Sequence, residues 1–336
     1  TKVSLIASLV SGGVGITMAL YHCGVWSLVG QQLSRQFFNS VLLWIYGKWR
    51  PLWEFSYKSF KDLFGFGSKL LLSGLIDVFY KNVYYIVIGR YYSATQLGQY
   101  TRAEQFSTIF SSNLTSVFQR VSYPVLSSIQ EEPERLRDAY RKIIKVTMLI
   151  TFALMFGLAA IAKPLIVILI GEKWLMAVPF LQIICFSEML YPLHAINLNI
   201  LQVRGYSGLF LKLEIVKKII AVIPIMIGIF WGINYMLWGA VCISLVSYIL
   251  NSYYSGRLID YSTVKQVKDI FPCFLVSSLV ALLMWGITFL HFNFLVTLLL
   301  QVSVGILLAI VAYERMRLEE YKEIRRIILS IIRKNS

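Results

Sequence analysis

Acidic residues are scarce in this 336-residue chain: 17 Asp and Glu stand against 32 Lys and Arg, and charged residues together reach only 15%. Histidine is rarer still, with three (His22, His194, His291), none spaced to share a metal with another. The four cysteines (Cys23, Cys185, Cys242, Cys273) sit singly in apolar sequence without a CxxC pair, which excludes a disulfide framework and a zinc site of ordinary ligand spacing. A phosphate-cradling glycine loop, an internal repeat, a low-complexity run and a Ser–His–Asp signature are likewise missing. These gaps leave no metal or cofactor to expect, and they count against a soluble enzyme.

What fills the chain instead is apolar sequence, 57% of residues, outside the usual range of a soluble domain of this length. It gathers into ten stretches with cores near 3–21, 24–46, 66–89, 99–119, 146–170, 176–203, 213–231, 236–256, 271–290 and 294–313. Most reach the roughly 20 residues that cross a hydrocarbon layer of about 30 Å as a helix. Lipid offers the backbone no hydrogen-bond partner, so such segments must be helical. Trp174, Trp231, Tyr235, Trp238 and Tyr261 stand at stretch ends, where a half-wet aromatic ring suits a membrane interface. The expectation is an all-α polytopic membrane protein with about ten transmembrane helices.

The connections alternate in charge. Those at 47–65, 120–145, 204–218 and 257–268, with the tail after Tyr313, carry three quarters of the Lys and Arg residues. The intervening ones near Tyr21–Val25, Gly232–Tyr235 and His291–Asn293 carry none. The positive-inside rule makes the basic side cytoplasmic, with Thr1 and Ser336 both on it. The net charge of +15 is then topology, and nucleic acid is not an expected partner. Thr1 leads directly into the first stretch, so the chain reads as the C-terminal part of a longer protein lacking an even number of spans. Residues 54–64 and the tail stripe Ile324, Ile327, Ile328 and Ile331 have the pattern of surface helices on membrane lipid, the tail equally that of a fraying end.

Charges inside a span cost about 2.5–3.5 kcal/mol on insertion scales, so they mark cavities or partners. Gln31, Arg35 and Asn39 share one face of the second stretch, and Lys69, Ser73, Asp77 and Lys81 one face of the third. The fourth carries Arg102, Glu104 and a stripe through Thr108, Ser112 and Gln119; the sixth carries Glu188, His194 and Asn199 around Pro192, where a kink is expected. This predicts a cavity lined by the second, third, fourth and sixth stretches, cationic enough for a diphosphate. Its candidate binding residues are Arg35, Lys69, Lys81, Arg102, Gln31 and Asn39, and its candidate ion-coupling residues Asp77, Glu104 and Glu188. Duller readings stand beside these: Asp77 and Lys81 as an i, i+4 ion pair, Lys69 as a snorkelling cation, Arg102 and Glu104 as interfacial anchors, His194 as a structural residue, and the fourth-stretch stripe as close helix packing.

Several strings carry a resemblance: LGQYTRAEQF (97–106), VSYPVLSSIQEEPERLRDAYRK (121–142), LIGEKW (169–174) before VPFLQII (178–184), and LQVRGYSGLFLK (201–212). In their order and spacing the chain resembles the Wzx-type polysaccharide flippases, often labelled lipopolysaccharide biosynthesis proteins, of the multidrug/oligosaccharidyl-lipid/polysaccharide exporter superfamily. The resemblance implies two six-helix bundles around a central cavity. On that template 1–46 holds the last two helices of the N-terminal bundle, 47–65 a cytoplasmic interfacial linker and 66–256 the six-helix C-terminal bundle. Residues 257–313 form two extra helices and 314–336 a basic cytoplasmic tail. It further implies alternating-access flipping of a polyprenyl-diphosphate-linked oligosaccharide to the periplasmic leaflet of a bacterial inner membrane. Membrane lipids, a polysaccharide polymerase and chain-length proteins would be partners. A peptidoglycan-precursor or multidrug exporter of the same superfamily would share the fold; a membrane polymerase or ligase would need larger loops than these.

Overall fold

The computed structural model describes residues 2–47, 55–316 and 321. The stretch 48–54 and the tail stripe at Ile324, Ile327, Ile328 and Ile331 lie outside the described residues, as do the side chains of Lys69, Asp77 and Lys81. Regular structure among the described residues is helical throughout: an all-α polytopic membrane protein. Eight of the ten apolar stretches each become one α-helix: α1 (Lys2–Leu20), α2 (Trp26–Tyr46), α3 (Tyr57–Tyr91), α4 (Ala94–Ser128), α5 (Pro133–Ile170), and further on α10 (Ile233–Leu258), α11 (Thr263–Gly286) and α12 (Phe294–Arg315). The sixth breaks into α6 (Ala177–Glu188) and α7 (Tyr191–Val203), the seventh into α8 (Ser207–Ile220) and α9 (Val222–Trp231).

Both breaks have local causes. Pro192 sits in the first turn of α7, where its missing N–H costs nothing, and Pro224 occupies the same place in α9. At the second break the Ala221 carbonyl accepts a hydrogen bond from the Tyr80 hydroxyl at 3.2 Å. Among the described residues six helical segments, those of α1, α3, α5, α10, α11 and α12, are long and apolar enough to cross a membrane. The other four stretches fall short for two reasons. Two are broken into pieces of 10 to 14 residues, and α2 and α4 carry polar residues through their length.

The chain divides into two compact units, Thr1–Leu63 and Phe64–Ser336. In the first, α1 and α2 form a helical hairpin. His22 takes the left-handed conformation after α1, and the Cys23 N–H reaches back to the Met18 carbonyl at 3.1 Å, closing the helix end. Glycines let the pair approach closely: a Cβ on Gly15 would lie 3.0 Å from Cβ of Gln31.

The second unit is built around α5, which packs against α4, α6, α11 and α12. Its Leu136, Ile144, Met148, Met155 and Ile166 are fully buried. Apolar side chains also cover the outside, as on α11 and α12 at Leu282, Leu283, Leu299 and Leu307. An apolar exterior suits lipid, whereas water would drive such residues inward.

A polar cavity in the second unit

The four-residue spacing of α4 gives it two working faces. Ser107, Ser111 and Thr115 are buried on the face turned to α6 and α7, beside the stripe read from sequence, whose Ser112 is exposed. The adjoining face, with Tyr100, Glu104, Thr108 and Gln119, lines a cavity of about 520 Å³ enclosed by α3, α4, α6, α7, α8 and α10. Glu104 and Glu188, two residues singled out from sequence, both line it. The Ser111 hydroxyl donates to Glu188 at 2.6 Å, and the Tyr85 hydroxyl donates to Glu104. From α7, Asn199 and Gln202 join the wall, and Asn199 donates to Ser122 at 3.2 Å.

His194 also lines the cavity. Its Nε2 lies 3.1 Å from Ser244 Oγ, whose own proton goes to the Ser187 carbonyl at 3.0 Å. The serine oxygen can therefore only accept, so the imidazole proton sits on Nε2. That fits the structural reading of this histidine.

Sequence reasoning assigned Glu214 no role and took Lys217 and Lys218 for loop charges; all three line the cavity from α8. Glu214 and Lys217 form a buried ion pair one turn apart. Lys218 holds its ammonium 4.5 Å from the centroid of the Tyr80 ring, and the Tyr80 hydroxyl bonds that of Tyr84 at 3.0 Å. The signal was available: Phe210, Glu214, Lys217 and Ala221 recur at helical spacing and form one face. The described lining thus mixes carboxylates, ammonium groups, hydroxyls and tyrosine rings, and α8 and α10 contribute where sequence reasoning had named only the second, third, fourth and sixth stretches.

The other sequence candidates fall elsewhere. Arg102 is exposed, lies outside the cavity lining, donates to Gln105 at 2.8 Å and stacks on Trp174. Gln31, Arg35 and Asn39 belong to the first unit, where Arg35 is exposed and the other two are half-buried. Lys69, Asp77 and Lys81 remain outside the described side chains. Asn197 of α7 faces the core, accepting from Tyr140 at 2.9 Å and Ser255 at 2.5 Å.

At the end of this unit bearing the basic connections, a second polar cluster ties helices together. Arg141 of α5 forms a two-pronged bond to Asp269 of α11 (2.5 and 2.7 Å), and the Tyr261 hydroxyl donates to the same carboxylate at 2.7 Å. Tyr261 lies in the α10–α11 connection; burial first, then its bond to Asp269, holds its phenol protonated well above the ordinary tyrosine range.

The profile of a polysaccharide biosynthesis protein family matches residues 1–179. Over 310 residues the chain is 24% identical to the teichuronic acid biosynthesis protein TuaB of Bacillus subtilis (strain 168), covering 91% of this chain and 64% of that protein. It is 24% identical over 220 residues to the lipopolysaccharide biosynthesis protein WzxC of Escherichia coli (strain K12), covering 64% of this chain and 45% of that one. Among solved structures it is similar to the lipid II flippase MurJ in an inward closed conformation, with a TM-score of 0.66 and 15% identity over 94% of this chain and 66% of that chain. That likeness concerns the fold. The chain spans between 37% and 64% of the length of the curated relatives it matches.

Proposed function

Because the chain belongs to the polysaccharide biosynthesis protein family, we propose that it is part of a flippase for a polyprenyl-diphosphate-linked oligosaccharide. On this reading the substrate crosses from the cytoplasmic to the periplasmic leaflet of a bacterial inner membrane by alternating access, with both ends of this chain cytoplasmic. No covalent chemistry is assigned to the protein, and polymerase and chain-length proteins would receive the product. One observation carries the proposal: a cavity of about 520 Å³, rich in hydroxyls, carboxylates and tyrosine rings, sits inside a unit whose exterior is apolar.

A glycan needs such a lining to leave water. Its hydroxyls require polar partners at nearly every step, and its apolar ring faces suit aromatic side chains. Tyr80, Tyr84 and Tyr100 supply rings, and Glu104, Glu188 and Asn199 supply acceptors. Arg35, Lys69 and Lys81 are proposed for the diphosphate, and Asp77, Glu104 and Glu188 for ion coupling. The relatives' names agree in kind: teichuronic acid and lipopolysaccharide biosynthesis, and lipid II flipping.

Deleting the gene should remove a surface polysaccharide and leave its lipid-linked repeat units on the inner leaflet, where a membrane-impermeant glycosidase cannot reach them in intact cells. Unchanged surface polysaccharide would overturn the proposal. Complementation by a lipid II flippase alone would move the substrate to a peptidoglycan precursor.

A further inference from the structure

The chain leaves α7 at Arg204, turns through Gly205 in the left-handed region (φ +75°), and starts α8 at Ser207. Gln202 on one side of this turn and Phe210 on the other both line the cavity, while Arg204 itself is not among the lining residues, so the turn adjoins the cavity at the end of the unit bearing the basic connections. Arg204 is the charged residue of that turn. Its Nε is shielded from solvent and has no hydrogen-bond partner among the described residues. Its two outer nitrogens make no hydrogen bond to the described residues either, and they are not shielded as Nε is. The nearest acidic residue along the chain, Glu214, lies well inside α8 and engages Lys217.

An arginine in this state is unusual. A guanidinium presents five N–H donors in a planar fork and is normally met by a carboxylate, a phosphate or a ring face. Several arginines of this end are met in this way: Arg141 holds Asp269, Arg137 lies 3.7 Å from Asp260, and Arg257 stacks on Tyr253 at 4.3 Å. A shielded Nε without an acceptor is costly, and an oxyanion placed against it and an outer nitrogen would satisfy both at once.

We propose that Arg204 is a binding residue for a phosphate oxyanion at the rim of the cavity. Resting on the function proposed above, that oxyanion is the diphosphate of the lipid-linked glycan, gripped at the rim while the sugars occupy the polar interior. The same chemistry is offered by an anionic phospholipid headgroup, and the experiment separates the two sources.

The full chain in nanodiscs would be titrated with polyprenyl diphosphate and, separately, with phosphatidylglycerol, for the wild type and the variants Arg204→Gln, Arg204→Lys and Arg257→Gln. Melting temperature would confirm that each variant is folded. The expected result is a loss of about tenfold or more in diphosphate affinity for Arg204→Gln. Arg204→Lys should recover it in part, since an ammonium keeps the charge but loses the fork. Arg257→Gln, which removes the same charge at the same end, should bind as wild type. Diphosphate binding by Arg204→Gln equal to wild type would overturn the assignment. So would a loss confined to phosphatidylglycerol, which makes Arg204 a headgroup anchor. Wild-type protein that binds no polyprenyl diphosphate would count against the proposed function itself.

Discussion

The guanidinium of Arg102 lies 5.3 Å from the centroid of the Trp174 ring, with Lys173 Nζ 5.7 Å from the same ring. The neighbouring Gln99 amide donates to the Lys173 carbonyl at 2.8 Å, and a Cβ on Gly98 would lie 3.7 Å from the indole. Two strings that carry the family resemblance, LGQYTRAEQF and LIGEKW, therefore meet in space. The 3₁₀ turn Glu172–Trp174 is pinned against the start of α4 at the end opposite the basic connections.

This contact gives Arg102 a packing partner, and a packing role can be tested against a binding one. Arg102→Ala should cost about 0.5–1 kcal/mol, the worth of an exposed cation–π contact, and leave substrate binding intact. Trp174→Ala should cost about 2 kcal/mol, less than a fully buried tryptophan because the ring is half-buried. Thermal unfolding in detergent ranks the two. A binding defect in a fully stable Arg102→Ala would restore Arg102 to the substrate site.

At the basic end the bond between Arg141 and Asp269 joins α5 to α11, and its two partners differ in exposure, 52% and 13%. Asp269→Ala should therefore destabilise by about 1–3 kcal/mol, since it strips a charged, mostly covered cluster of its acceptor. The exposed pair Arg135–Glu132 (68% and 55%) gives the contrast: Glu132→Ala should change stability by no more than about 0.5 kcal/mol. High salt should narrow the exposed pair's effect and barely touch the other. Equal effects in a melting assay would show that α11 is held by apolar contact alone.

Helices α9 and α10 pack through glycine. A Cβ on Gly239 would fall 2.9 Å from Cβ of Pro224, and one on Gly228 2.7 Å from Cβ of Met236. Pro224 is rigid, so the helices themselves must separate to admit a side chain at 239. Gly239→Val should cost about 1–3 kcal/mol and reduce membrane yield. Gly157→Ala, where a Cβ meets nothing within 4 Å, should be neutral or slightly stabilising. The ratio of folded to total protein after solubilisation reads both.

The helices were legible because lipid leaves the backbone a single solution, and each apolar stretch found its helix or helix pair. The break at Pro192 was legible from a proline among polar residues. The break at Ala221 was not, since Pro224 lies in apolar sequence that reads as one unbroken span. For the cavity, Glu188 was readable as a charge deep in a span and Glu104 as one within the end of its span. Lys217 and Lys218 were misread because a lysine near the start of a span satisfies the positive-inside rule equally well, whether it faces water outside or a cavity within. The contact of Arg102 with Trp174 was not legible for the converse reason: Trp174 is remote in sequence, and no spacing rule links the two. Tyr80 carried no signal, as tyrosine is common at interfaces and in cores alike.

Arg35 tests the reach of that sequence reasoning. It is exposed on α2, with Gln31 and Asn39 one turn away on either side. If it contacts the diphosphate as proposed, Arg35→Ala should abolish surface polysaccharide at unchanged protein level, and Arg35→Lys should retain part of it. Unaltered polysaccharide in Arg35→Ala would remove this residue from the substrate path.

Glu188 is the carboxylate whose role transport can resolve most directly. It lines the cavity and accepts from Ser111 at 2.6 Å. Glu188→Gln keeps the volume and the acceptor oxygen but removes the charge and the capacity to take up a proton or hold a cation. Ser111→Ala keeps the charge and removes one donor, at a cost of about 1–3 kcal/mol to the hydrogen-bonded carboxylate. If Glu188 couples an ion to flipping, Glu188→Gln should bring gradient-driven transport in proteoliposomes to background. Passive exchange of lipid-linked glycan between leaflets should persist, and Ser111→Ala should lower the driven rate only in part. If Glu188 only accepts hydrogen bonds from the glycan, both variants should weaken substrate affinity, while the gradient dependence of whatever transport remains stays as in the wild type. The gradient dependence of Glu188→Gln therefore decides between an ion-coupling and a glycan-binding carboxylate.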